Sequence, residues 1–124
     1  MNTNSHKPSH MVLLWNSVAA IDIIVGGPPC QDFTKINAQN KGVVGTNGRY
    51  LKMAAEFIVN VQKKQSPHHV WYLIENVVLR GDDLEEICKA FGDTAPMRVD
   101  SYHFSPCNRN RHYFVNVSHK LLLS

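Results

Sequence analysis

A chain of 124 residues, 44% hydrophobic and 19% charged, has roughly 55 side chains to line a core, enough for one domain and too few for two. That composition excludes a disordered chain, and the lack of a Gly or heptad period excludes collagen and coiled coil. Thirteen basic against ten acidic residues, net +3, suit a nucleic-acid partner without demanding one.

Residues 1–14 read as a flexible N-terminal tail, 15–118 as the domain and 119–124 as a C-terminal tail. No apolar run reaches the ~20 residues of a membrane span. Met11 to Trp15 is shorter than the about 7–15 residues of a secretory core, so the chain reads as soluble and intracellular, with no membrane partner. His6 and His10 are separated by Pro8 and make a poor metal site; no metal is expected.

From Ile21 the sequence IDIIVGG is β-branched and closed by glycines, which predicts a strand buried on both faces of a parallel sheet. It runs directly into Pro28-Pro29-Cys30-Gln31. Residues 32–48 are polar and read as a long functional loop, with Asn47-Gly48 as a turn. Leu51, Ala54, Ala55, Ile58 and Val61 or Gln62 recur at helical spacing, and Gln65-Ser66-Pro67 ends that helix. A second apolar strand, Val70 to Ile74, ends at Glu75-Asn76. Asp82 and Asp83 are expected to cap a helix that buries Leu84, Ile87, Cys88 and Phe91 and stops near Gly92. Two β-rich stretches, about 97–104 and 112–117, are joined by a turn carrying Ser105-Pro106. This order predicts an α/β fold with a parallel sheet that closes in an antiparallel pair. Ligands in such sheets bind beyond the carboxyl ends of the strands, which puts Cys30 and Glu75 on one rim.

Cys30, Cys88 and Cys107 cannot all pair, and none forms a C-x-x-C, so a disulfide framework and a zinc ribbon are both poor readings. Cys30, after two glycines and two prolines, has the setting of a nucleophile, although a buried small hydrophobe fits nearly as well. Cys88 reads as packing and Cys107 as incidental. Glu75, at the end of an apolar strand, would be partly desolvated and able to hold a proton near neutral pH; a solvated strand-end acid is the plainer alternative. Arg109 and Arg111 alternate at strand spacing, share a face with Cys107, and could bind a carboxylate, a phosphate or a base carbonyl. The alternative for them is an exposed basic edge strand. The glycines at 42–48 do not make a nucleotide P-loop, and Asn116-Val117-Ser118 is a glycosylation sequon without meaning in an unsecreted chain.

Taken in order, GGPPCQDFTKIN, KGVVGTNGR, IENV and RNR resemble the cytosine-5 DNA methyltransferases over about residues 15–118, with the de novo-type branch nearest. The resemblance implies a Rossmann-like fold that uses S-adenosyl-L-methionine and acts on DNA. It implies that Cys30 attacks carbon 6 of cytosine and that Glu75 hydrogen-bonds the ring nitrogen and amino edge. Arg111 would contact the base carbonyl, Arg109 would support the site or a phosphate, and Asn76 would hold the glutamate or the loop backbone. Pro29 would touch the cofactor weakly, and Lys35, Lys41 and Arg49 would contact DNA phosphates. The base must leave the stack to reach the thiol.

Residues 1–20 contain no glycine, so the family's aromatic-x-Gly-x-Gly cofactor turn has no counterpart there. The chain is accordingly expected to be the C-terminal half of the catalytic domain, a partial Rossmann-like sheet. A complementing methyltransferase subunit or self-association would then be its partner. The resemblance implies a nuclear location in a eukaryote and a cytoplasmic one otherwise. The alternatives are a catalytically inactive regulatory or DNA-binding relative and a tRNA cytosine methyltransferase fragment; an unrelated thiol enzyme fits least.

Overall fold

The computed structural model describes residues 19–29 and 46–117. The chain forms β1 (Ile23–Gly26), α1 (Thr46–Gln65), β2 (Trp71–Val77), α2 (Gly81–Ala90), β3 (Met97–Asp100), a 3-10 turn (Ser101–His103) and β4 (Asn110–Val115). The four strands make one sheet in the order β1-β2-β4-β3. β1 lies parallel to β2, and β4 is antiparallel to both β2 and β3. The parallel pair and the closing antiparallel pair are those expected.

Both helices lie on one face of the sheet. Leu51, Ala55 and Ile58 of α1 and Ile87 of α2 bury against Tyr72 and Ile74 of β2 and Phe114 of β4. Phe91 stacks between Tyr72 and Phe114, with ring centroids 5.4 and 4.6 Å away. Such aromatic pairs add ~0.5–1.5 kcal/mol each beyond their buried area. Lys52 of α1 and Glu86 of α2 form an ion pair at 2.7 Å across the helix–helix seam.

Several expectations are corrected. β1 is not buried on both faces: Ile23 and Val25 are 61% and 64% exposed, and their register partners Trp71 and Leu73 are also exposed. No described helix covers that side, and β1 stands at the end of the described sheet. α1 begins at Thr46, so Asn47-Gly48 is its first turn rather than a loop. Asp82 and Asp83 do not cap α2. The cap is Arg80, without a side-chain bond, and the two acids sit in the first turn, where they oppose the positive end of the helix dipole. Leu84 and Cys88 are only half-buried. The stretch 97–104 is strand only to Asp100, because the Asp100 carboxylate accepts the Tyr102 N–H and folds the chain into the 3-10 turn.

The start of β1 is tied to the end of α1. The Gln65 amide accepts from the Ile21 N–H at 2.8 Å and donates to the Ile21 carbonyl at 2.7 Å. Asn116 does the same for β2, accepting from Tyr72 N–H and donating to the Val70 carbonyl. Its amide is thereby spent on the sheet.

Candidate active site

β1 and β2 run side by side and end at the same rim, with Gly26 opposite Ile74 and Glu75 one residue beyond. Glu75 is half-buried and lies on the sheet face away from the helices. Its direct partner on β4 is Tyr113, and Arg111 stands opposite Val77, one diagonal step away. Diagonal neighbours on a pleated face lie within reach of long side chains. Arg111 Nε donates to Glu75 Oε1 at 2.9 Å, and an Arg109 terminal nitrogen reaches the same oxygen at 3.5 Å. Arg109 precedes β4 yet still turns toward the carboxylate. The structure thus brings together the three charged residues singled out in the sequence.

The edge-strand alternative for the arginines falls, since β4 lies between β2 and β3. Cys107 does not share their strand. It is exposed in the preceding loop, its N–H bonded to the Ser105 hydroxyl.

Asn76 points to the opposite face and is 1% exposed. Its amide donates to the Pro28 carbonyl at 3.1 Å, and its oxygen accepts from the Val77 N–H at 3.0 Å. It therefore clamps the segment leaving β1 against β2. Gly27 stands so close that an added Cβ would sit 3.3 Å from Glu75 Oε2. A side chain there would crowd the carboxylate.

His112, directly opposite Asn76, is a buried residue that sequence reading missed. The Leu79 N–H donates to its Nδ1 at 3.2 Å, which fixes the chain between β2 and α2. Burial, and secondarily the Arg98 charge, hold its pKa below the ordinary imidazole value. Alternation with Phe114 on the core face was the available signal.

Cys88 is half-buried, and burial first, then Asp93, pushes its thiol pKa up. It is poorly suited to be a nucleophile. Arg49 is exposed in the first turn of α1, and Pro29 is exposed past β1. Cys30, Lys35 and Lys41 lie outside the described residues, as does most of the 32–48 loop. A cavity of about 590 Å³, lined by Gln62, Lys63, Tyr72, Thr94 and Asn116 among others, opens at the other end of the sheet, away from Glu75. Of the residues expected to hold S-adenosylmethionine, the described part supplies Pro29 alone. That set does not make a site for the cofactor.

Glu75, held by Arg111 and approached by Arg109, stands at the carboxyl rim of the parallel pair, where open α/β sheets commonly bind ligands. The C-5 cytosine-specific DNA methylase family model matches residues 4–94, a span that contains the Pro28-Pro29-Cys30 and Glu75-Asn76-Val77 segments and stops short of Arg109. The chain belongs to this family, whose members depend on S-adenosylmethionine.

Proposed function

We propose that this chain carries the cytosine-handling part of a DNA (cytosine-5)-methyltransferase. The observation that supports the reading most is the Glu75–Arg111–Arg109 cluster at the rim where the β1 segment leads toward Cys30. Cytosine carbon 5 is a poor nucleophile. A thiolate that adds to carbon 6 makes it an enamine carbon able to accept a methyl group, which a serine hydroxyl would do far less readily. In this reading Cys30 is the nucleophile and Glu75 hydrogen-bonds the ring nitrogen and amino edge. Arg111 holds Glu75 in place and faces the base carbonyl, and Arg109 adds positive charge toward base or phosphate. Asn76 positions the backbone that precedes Cys30. Lys35, Lys41 and Arg49 serve as phosphate contacts. The exposed Ile23 and Val25 support self-association or pairing with a complementing subunit.

Covalent trapping on DNA that contains 5-fluorocytosine, with S-adenosylmethionine and a complementing methyltransferase half supplied, tests the reading. Trapping should be lost in Cys30→Ser and retained in Cys88→Ser and Cys107→Ser. Equal trapping by wild type and Cys30→Ser would overturn the assignment of the nucleophile.

A further inference from the structure

The turn before β4 presents large aromatic groups to solvent. Phe104 is 83% exposed and Tyr102 68%. The His103 ring stands edge-on to both, with centroids 6.1 and 6.4 Å away.

The backbone beneath these rings is braced by several hydrogen bonds. The Asp100 carboxylate accepts the Tyr102 N–H at 3.0 Å, and the N–H groups of Phe104 and Ser105 both donate to the Ser101 carbonyl at 2.8 Å. The Ser101 hydroxyl donates to the Cys107 carbonyl and accepts from the Arg109 N–H. The Ser101 N–H donates to the Arg109 carbonyl at 3.2 Å. Arg109 therefore closes the aromatic turn with its backbone and reaches Glu75 with its guanidinium.

Rigid display of apolar rings beside a charged site points to a ligand with flat faces. The charge selects which kind. Between Arg98 and Arg111 there are three arginines and His103 against one acid, Asp100, whose oxygens are taken up by the Tyr102 N–H and the Asn110 amide; the single charge of Glu75 offsets one of the two arginines it meets, so the surface stays net positive. Aromatic rings among arginines suit the bases of a nucleic-acid strand, because every base offers a π face and the phosphates carry the opposite charge. A cytosine drawn out of its stack also leaves its neighbours with an uncovered face.

We propose that Tyr102 and Phe104 form a base-stacking contact for a nucleotide of the DNA strand flanking the cytosine held at Glu75. This rests on the methyltransferase reading given above. The turn would then contribute affinity that tolerates sequence.

Fluorescence anisotropy with the full 124-residue chain and a labelled single-stranded 12-nucleotide DNA carrying one cytosine tests it. Tyr102→Ala/Phe104→Ala should raise Kd about 5- to 150-fold, the range for a lost base–aromatic stack. The salt slope should stay unchanged, since no phosphate contact is removed. Tyr102→Phe/Phe104→Tyr should restore the wild-type Kd. An unchanged Kd in the alanine variant overturns the stacking contact alone, as does a variant that shifts sedimentation without shifting Kd, which would make the turn a protein contact. Failure of the wild-type chain to bind any DNA overturns this contact, whereas the methyltransferase reading stands or falls on the trapping assay with the complementing half.

Discussion

Arg111 Nε and Glu75 Oε1 meet at 2.9 Å across β4 and β2, both side chains about one quarter to one third exposed. An ion pair this open to water contributes little to stability, ~0–1 kcal/mol, whereas its planar guanidinium fixes the carboxylate's direction. Arg111→Met should therefore lower unfolding free energy by no more than about 1 kcal/mol. Trapping on DNA should fall by at least about tenfold, because charge-assisted hydrogen bonds are worth ~1.5–3 kcal/mol. Urea denaturation and the trapping assay separate the two effects. A variant that unfolds while the residual folded fraction traps normally would reverse the assignment from site to scaffold.

Asn76 makes the opposite case. Its amide is buried and bonded at both ends, to Pro28 and Val77. Asn76→Ala strands the half-buried Pro28 carbonyl and the Val77 N–H, at ~1–3 kcal/mol for each unsatisfied group and so about 2–6 kcal/mol together. Urea unfolding should show a loss in that range, and the Gly27 amide should exchange faster with deuterium as the segment after β1 loses its clamp. Unchanged exchange at Gly27 would remove Asn76 from its positioning role.

His112 gives the fold a pH dependence whose sign follows from its surroundings. Its folded pKa lies below the unfolded value near 6.5, for which burial is the first cause and the Arg98 charge the second. Neutral His112 accepts the Leu79 N–H, and that stabilisation is fully present above pH 6.5. As pH falls below 6.5 toward the folded pKa, the unfolded chain binds the proton first and stability declines. Urea midpoints measured from pH 7.5 down to 5 should drop over this window. In His112→Phe the drop attributable to this residue should vanish, at a cost of ~1–3 kcal/mol at pH 7 for the orphaned Leu79 N–H.

The rim was legible because two β-branched runs each end in a polar motif, and alternation carried Arg109 and Arg111 to one side. Less could be read of burial. A run such as IDIIVGG looks the same whether one or both faces of its strand are covered, and the end position of β1 is a tertiary fact. The start of α1 was hidden by Asn47-Gly48, a turn signal that the helix absorbs into its first turn, where Gly48 is buried. Asp100 ended β3 early through its own side chain, a local competition with the ladder that β-propensity does not register. The nucleophile assignment still rests on the family pattern around Cys30.

The exposed side of β1 yields the final prediction. Ile23 and Val25 project from a strand that pairs, among the described residues, with β2 alone, and Trp71 and Leu73 extend the apolar surface. An apolar strand at a sheet's end offers both backbone groups and side chains to a neighbour, and lysine there is a common protection. Sedimentation velocity on the purified chain should show concentration-dependent association. Ile23→Lys/Val25→Lys should shift the distribution toward monomer while far-UV dichroism stays unchanged. The same chain should show no micromolar binding of S-adenosylmethionine by calorimetry. A Kd of 1 μM requires about 8 kcal/mol, and in the reading proposed above Pro29 is the one cofactor contact assigned to this chain. Adding a complementing methyltransferase half should raise cofactor affinity and lower self-association together, because both would compete for the β1 side. Micromolar binding by the chain alone, or association indifferent to the two lysines, would show that the β1 side is not where a partner is needed.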